Sequence, residues 1–169
     1  LLYKQDVIPE PDLTIKAIGY QWYWGYEYPD NGNFTYEAFM LQSEDELEEE
    51  KPFKRMLTTD TKVVVPVNKI IRMQVTAADV LHSWAIPAFG VKTDAVPGRL
   101  NETWFKAEKT GIYYGMCSEL CGVNHGYMPI VIDAKTPEDY QAWLTEYKAN
   151  VEKEKQLADN DFKDSLGKE

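Results

Sequence analysis

Long apolar runs are missing from this sequence. Nowhere do the roughly 18 to 20 consecutive apolar residues that carry a helix across a membrane occur, and the chain does not open with the basic, apolar and small residues of a secretory signal. The residues present are therefore expected to be soluble. An initiator methionine is also lacking: the chain begins Leu1-Leu2-Tyr3, as expected of a fragment or processed product with an upstream part. Basic residues are scarce, 18 against 28 acidic ones. The formal charge of −10 argues against a nucleic-acid surface and suits a basic protein partner. Cysteine is scarcer still, and the two present, Cys117 and Cys121, share one short segment. They make a site rather than a disulfide framework.

What is present suffices for one folded domain. A chain of 169 residues that is 44% hydrophobic can build one proper core. The segment LTIKAIGYQWYWGYEY, from Leu13 to Tyr28, is rich in β-branched and aromatic residues and ends at a Pro-Asp-Asn-Gly turn signal. It predicts one strand, or two broken at Gly19 or Gly25. Further strands are expected over 34–40, 62–67, 70–76, 102–107, 112–116 and 128–133, each bounded by turn-forming residues. Such spacing suggests a sandwich or barrel.

Residues 43–51 carry six acids and one large apolar residue, which predicts a solvated loop or short surface helix. Thr136-Pro137-Glu138-Asp139 has the marks of a helix start. Tyr140, Trp143, Leu144, Tyr147 and Val151 then fall on one face. The expected organisation is an N-terminal lead-in over 1–12, a β domain over 13–135, a helix over 136–151 and a charged tail over 152–169, frayed unless a partner orders it.

The chemistry concentrates in CSELCGVNHGYM, residues 117–128, which reads CxxxCxxxHxxM. The only other histidine is His82. Thiolate and thioether are soft donors and imidazole is borderline, a set that suits copper rather than magnesium or calcium. His82, Cys121, His125 and Met128 already follow the order of a single blue-copper site, so Cys117 is one ligand too many. Two sulfurs bridging two coppers accommodate it, with one histidine on each metal and the weak positions left to Met128 and a loop carbonyl, that of Glu119. Other readings stay open at this point: a small disulfide, a structural zinc site on two cysteines and two histidines, and Met128 as plain core packing.

Three stretches, GYQWYWGYEYP at 19–29, DVLHSWAIPAFGVKTDAVPGR at 79–99 and CSELCGVNHGYMPI at 117–130, resemble subunit II of the haem-copper cytochrome c oxidases. The resemblance implies a mainly β, cupredoxin-like Greek-key barrel, followed here by a C-terminal α-helix and charged tail. It implies a dinuclear copper centre on His82, Cys117, Cys121, His125, Met128 and the backbone oxygen of Glu119. Two transmembrane helices normally precede this domain, and Leu1 would lie just after the second. Met116 stands where glutamine usually precedes the first cysteine, and Gly126 where alanine or serine usually follows the histidine; neither departure removes a ligand. The acidic segment and the long tail look particular to this chain.

By the same resemblance the chain shuttles electrons without transforming a substrate. It accepts them from cytochrome c, through Trp22 at the surface, and passes them to haem in subunit I, where oxygen is reduced to water with proton pumping. Glu27, Asp79, Asp94 and Arg99 correspond to docking or subunit-contact positions, the acids being able to steer a basic partner. The Glu119 side chain corresponds to a magnesium ligand at the subunit I contact, a carboxylate being suited to that hard ion. Further oxidase subunits and the membrane are implied partners, with the domain facing the bacterial periplasm or the mitochondrial intermembrane space. A quinol oxidase subunit keeps the barrel but lacks the copper ligands, and nitrous oxide reductase carries a similar centre without the QWYW and DAVPGR segments. A zinc-stabilised or other non-redox binding module is the reading from another class.

Overall fold

In the computed structural model of the chain, backbone is described for residues 3, 6–47 and 53–166, and side chains as far as residue 153 and at residue 156. The described residues form ten strands: β1 (Leu13–Tyr20), β2 (Tyr23–Tyr28), β3 (Phe34–Ala38), β4 (Val63–Pro66), β5 (Ile71–Ala77), β6 (His82–Ile86), β7 (Val91–Ala95), β8 (Asn101–Phe105), β9 (Gly111–Cys117) and β10 (Pro129–Lys135). A single long helix follows, α1 (Pro137–Leu166). The strands make two sheets of five, ordered β3-β2-β1-β5-β8 and β4-β10-β9-β6-β7. Antiparallel hairpins combine with two parallel pairings, β1 on β5 and β10 on β4. This is the expected cupredoxin-like arrangement. Among the described residues no helix is long and apolar enough to cross a membrane.

Period-two patterning decides which face of each strand is buried. Along β5, Ile71, Met73 and Val75 are fully buried while Arg72, Gln74 and Thr76 are not. Ile15 and Ala17 of β1 and Ile130 and Ile132 of β10 join the same core. Each fully buried large side chain stabilises the fold by about 1.5–3 kcal/mol. Tyr28 ties the two sheets together: its hydroxyl donates to the Val64 carbonyl at 2.9 Å and accepts from the Val64 N–H at 3.0 Å. A buried hydroxyl satisfied in this way avoids the desolvation cost of a lone polar group.

The break between the first two strands falls at Gln21-Trp22, joined by a cis peptide bond, and at neither glycine expected to carry it. Gly19 and Gly25 instead continue the ladder, paired with Trp24 and Ile18. The reason is tertiary, because both corner side chains turn toward the opposite sheet and bond there. Strands β6 and β7 are additional to those expected from the pattern.

Thr136 caps α1 as its sequence predicts. Its hydroxyl accepts the Asp139 N–H at 3.1 Å and donates to the Asp139 carboxylate at 2.9 Å. The docking face is also the expected one: Tyr140 and Leu144 are buried, and Trp143 and Tyr147 pack on Phe34, Tyr28 and Tyr36. The helix does not end near residue 151, however, and the backbone stays helical to Leu166. Residues 152–158 are Glu, Lys, Gln, Leu and Ala, all good helix formers, and neither glycine nor proline occurs before Gly167. Residues 43–47 are a largely exposed segment with one turn of 3-10 helix over Glu44–Glu46. Residues 48–51 of the acidic run and 167–169 of the tail lie outside the described residues.

Candidate metal centre

Strands β9 and β10 form a hairpin whose loop carries five of the six expected donors. The Cys117 N–H donates to the Met128 carbonyl at 3.2 Å, closing the loop at its base. Ser118 N–H donates to the Ser83 carbonyl at 2.9 Å, which attaches the loop to β6. His82 opens β6, and so the second imidazole arrives from a neighbouring strand of the same sheet.

The expected donors converge. The sulfurs of Cys117 and Cys121 lie 3.8 Å apart, against about 2.05 Å in a disulfide, and both cysteines are free and buried. Nδ1 of His82 is 3.9 Å from the Cys117 sulfur, and Nδ1 of His125 is 3.5 Å from that of Cys121. The Met128 thioether is 3.6 Å from the Cys121 sulfur and is itself buried. The Glu119 carbonyl accepts from the Cys117 thiol at 3.3 Å. Ligand atoms of His82, Cys117 and Cys121 all lie within 4.8 Å of one another, and His125 stands outside that compact group. Four donors on one tetrahedral zinc, at about 2.0–2.3 Å from the metal, would form one such group, so the zinc reading fits poorly. Two sulfurs in the middle with an imidazole beside each is a set that fits soft metal ions, copper among them.

Asp79 determines how His82 presents itself. One carboxylate oxygen lies 2.9 Å from His82 Nε2 and accepts the Val80 N–H at 2.6 Å, while the other accepts the Gln21 N–H at 2.7 Å. A proton on Nε2 leaves the Nδ1 lone pair facing the sulfurs. Burial pushes the Asp79 carboxyl up, but these donors outweigh it and hold it below its usual value. Burial likewise opposes the His82 imidazolium, and Cys117 and Asp79 reverse that, so His82 is raised. Cys117 is pushed up by burial and pulled down further by His82 and by surrounding hydrogen bonds, so it ends lowered. Cys121 is raised, by burial and by the Cys117 charge beside it. Of the two thiols, then, Cys117 gives up its proton the more readily, and the Cys117 charge is one reason that Cys121 holds on to its own.

Behind His82 the first sheet comes very close. A Cβ on Gly19 would meet the imidazole Cδ2 at 2.7 Å, and so this strand position needs a residue without a side chain. Trp22, half-buried, donates its indole N–H to the Cys121 carbonyl at 3.1 Å. The ring expected at the surface therefore reaches a ligand residue directly. Trp24, fully buried, donates to the Met128 carbonyl at 3.3 Å and packs edge-on to His82.

The positions expected at partner contacts differ in character. Glu27 pairs with Lys16 at 3.3 Å across β1 and β2. Asp94 pairs with Lys92 at 3.3 Å on β7, and its neighbour Ala95 lies in register with His82. Arg99 is exposed, in a turn closed by its N–H on the Val96 carbonyl at 3.1 Å. Asp79, at the surface, is the one of the four whose carboxylate bonds His82. The Glu119 side chain is half-buried at the loop surface, beside Leu120 and near Val123, which are 77% and 86% exposed. Sequence reasoning missed Gly19 as the seat of His82 and Gln21 as a donor to the Cys121 carbonyl. Nothing in the local sequence pattern signals either contact.

A two-sheet β domain with a histidine, two thiols, a second histidine and a thioether at one end has the fold of the cupredoxin-like class and a group that could hold a metal ion. Residues 13–135 match the family described as cytochrome c oxidase subunit II, periplasmic domain, and the chain belongs to that family. It is 52% identical over 159 residues to cytochrome c oxidase subunit 2 of Cereibacter sphaeroides, covering 85% of this chain and 52% of the relative. A probable cytochrome c oxidase subunit 2 of Rickettsia felis is 49% identical over 144 residues, covering 85% and 45%. The chain thus spans about half the length of the curated relatives it matches. Among solved structures, the periplasmic domain of subunit II of cytochrome oxidase (CoxB) of Bradyrhizobium japonicum is similar with a TM-score of 0.78 and 54% identity, covering 85% of this chain and 99% of that one. A mixed disulfide intermediate between a thioredoxin-like TlpA and subunit II of cytochrome c oxidase matches with a TM-score of 0.73 and 52% identity, over 86% and 97%.

Proposed function

We propose that this chain is the electron-accepting domain of a respiratory cytochrome c oxidase, taking electrons singly from cytochrome c at a dinuclear copper centre and delivering them toward haem in subunit I, for reduction of oxygen to water coupled to proton pumping. The observation that carries the reading is the convergence of His82, Cys117, Cys121, His125 and Met128, with the Glu119 carbonyl beside them. These six would hold the metals. A copper pair held there would supply a one-electron carrier, and the rigid donor set would limit the structural change on transfer.

The protein's own contribution is rigidity and shielding. The closed loop base, the Asp79 contact and the Gly19 seat fix the donors before any metal arrives, and preorganised ligands limit reorganisation. Trp22 offers the input side chain, since its indole bonds the carbonyl of a ligand residue. Half-buried Glu27 and the exposed Asp94 and Arg99 are the charges assigned to contacts with cytochrome c or subunit I. Magnesium is assigned to the Glu119 carboxylate, its other ligands coming from the partner. Further oxidase subunits complete the complex, which is membrane-associated through N-terminal helices or partner subunits. The domain faces the periplasm, or the intermembrane space in a mitochondrion. One relative is found in a mixed disulfide with a thioredoxin-like TlpA, and Cys117 or Cys121 is the place where this chain would exchange with such a partner.

Electron paramagnetic resonance of the copper-loaded, oxidised chain tests the core of this. One unpaired electron split by two equivalent copper nuclei, with two coppers per chain, is expected. A single-copper pattern, or retention of zinc in preference to copper, would favour the zinc-stabilised module.

A further inference from the structure

Gln21 is exposed, yet it bonds in two directions. Its side-chain amide donates to the Cys121 carbonyl at 2.9 Å, the oxygen that also takes the Trp22 indole N–H at 3.1 Å. A carbonyl oxygen has two lone pairs, and these two donors use both. The main-chain N–H of Gln21 donates to Asp79 at 2.7 Å, and Asp79 in turn holds His82 at 2.9 Å. Gly122 explains why both side chains can lie so close: a Cβ there would stand 3.0 Å from Trp22 Cζ2 and 3.2 Å from Gln21 Nε2. Its φ of +118° is also one that side-chain-bearing residues rarely adopt. Trp22 and Gln21 therefore rest side by side on bare backbone of the ligand loop.

We propose that Gln21 is a positioning residue for electron input, anchoring the Gln21-Trp22 corner to the ligand loop and to Asp79 so that the Trp22 indole stays seated on the Cys121 carbonyl. The proposal rests on the reading of Trp22 as the input side chain. Gln21 acts through Cys121 and Asp79: its side chain bonds the Cys121 carbonyl, and its main-chain N–H bonds the carboxylate that holds His82. The amide is neutral and one of its two N–H donors is held by the Cys121 carbonyl, so its part is geometric and separate from charge steering of the donor protein.

The substitution to make is Gln21→Met, which keeps length and loses the donor at an exposed position where the chain still folds. In the metal-free chain, nitrogen-15 NMR reads the Trp22 indole N–H, identified by its disappearance in Trp22→Phe. In Gln21→Met this proton should exchange with solvent about fivefold faster, the factor that one lost net hydrogen bond gives an open–closed equilibrium. In the copper-loaded chain, electron transfer within the complex with photoreduced cytochrome c should slow by a similar factor, with association at fixed ionic strength unchanged. Unchanged indole exchange in Gln21→Met, while Trp22→Phe is impaired in transfer, would overturn the role of Gln21 alone. Weakened association with unchanged transfer would make Gln21 a docking contact and overturn the proposal. Trp22→Phe transferring at the parental rate would remove Trp22 from the route, and the proposed role of Gln21 with it.

Discussion

The two ends of this domain are built on opposite principles. At the ligand loop, sulfur, imidazole and carbonyl atoms crowd together under thin cover, with Leu120 and Val123 standing in solvent. At the helix end, Tyr28, Phe34, Tyr36, Trp143 and Tyr147 stack ring on ring. The first end is arranged to hold a charged guest and the second to hold the fold. The sheets between them let each be changed with little effect on the other, since sites this far separated are close to additive.

Four measurements would sharpen or break that separation. Cys121→Ser should abolish copper binding, read by metal analysis, while the metal-free chain keeps its β-sheet circular dichroism; a loss of folding would show that the loop is also a structural element. Trp143→Ala should lower stability by about 2–3 kcal/mol in denaturant titration, below the range of about 3–5 for fully buried rings because this ring is half-buried. The two-copper spectrum of that variant should be unchanged.

The aromatic end should also be the alkali-sensitive one. Burial raises Tyr26, Tyr28 and Tyr140 above their usual value of 10.0, Tyr140 to about 12. A group raised on folding gives its full stability below the unfolded pKa and loses it as pH climbs toward the folded one. Stability should accordingly be level up to about pH 10 and then fall by about 1.4 kcal/mol per pH unit for each such tyrosine. Tyr140→Phe should make the fall between pH 10 and 12 less steep, as followed by urea midpoints. The smallest effect is expected at Thr136→Ala, about 1 kcal/mol from the lost helix cap, with no change in metal affinity.

Legibility in the sequence followed the range of the interactions. The helix start, its docking face and the spacing of the loop donors are local, and the structure has them as expected. Strands β6 and β7 escaped pattern reading because HSWAI is buried along its whole length and shows no period-two alternation. The break at Gln21-Trp22 depends on the Cys121 carbonyl, about a hundred positions away, and on Asp79, which takes the Gln21 N–H across 58 positions. Composition marked residues 152–169 as poorly able to pack, which said nothing about the strong helix propensity of 152–158. The parallel pairing of β1 with β5 joins residues 58 positions apart, Leu13 with Ile71 among them. No local signal encodes such a contact.

The ligand loop opens and closes on one hydrogen bond between neighbouring strands, Cys117 to Met128. Such a loop is a detachable cassette: everything between those residues can in principle be exchanged for a segment of different length without disturbing strand register. Only His82 lies outside it, so a graft would inherit one fixed imidazole and bring its other ligands with it. Metal preference in this scaffold is thus portable, and can be rewritten a dozen residues at a time.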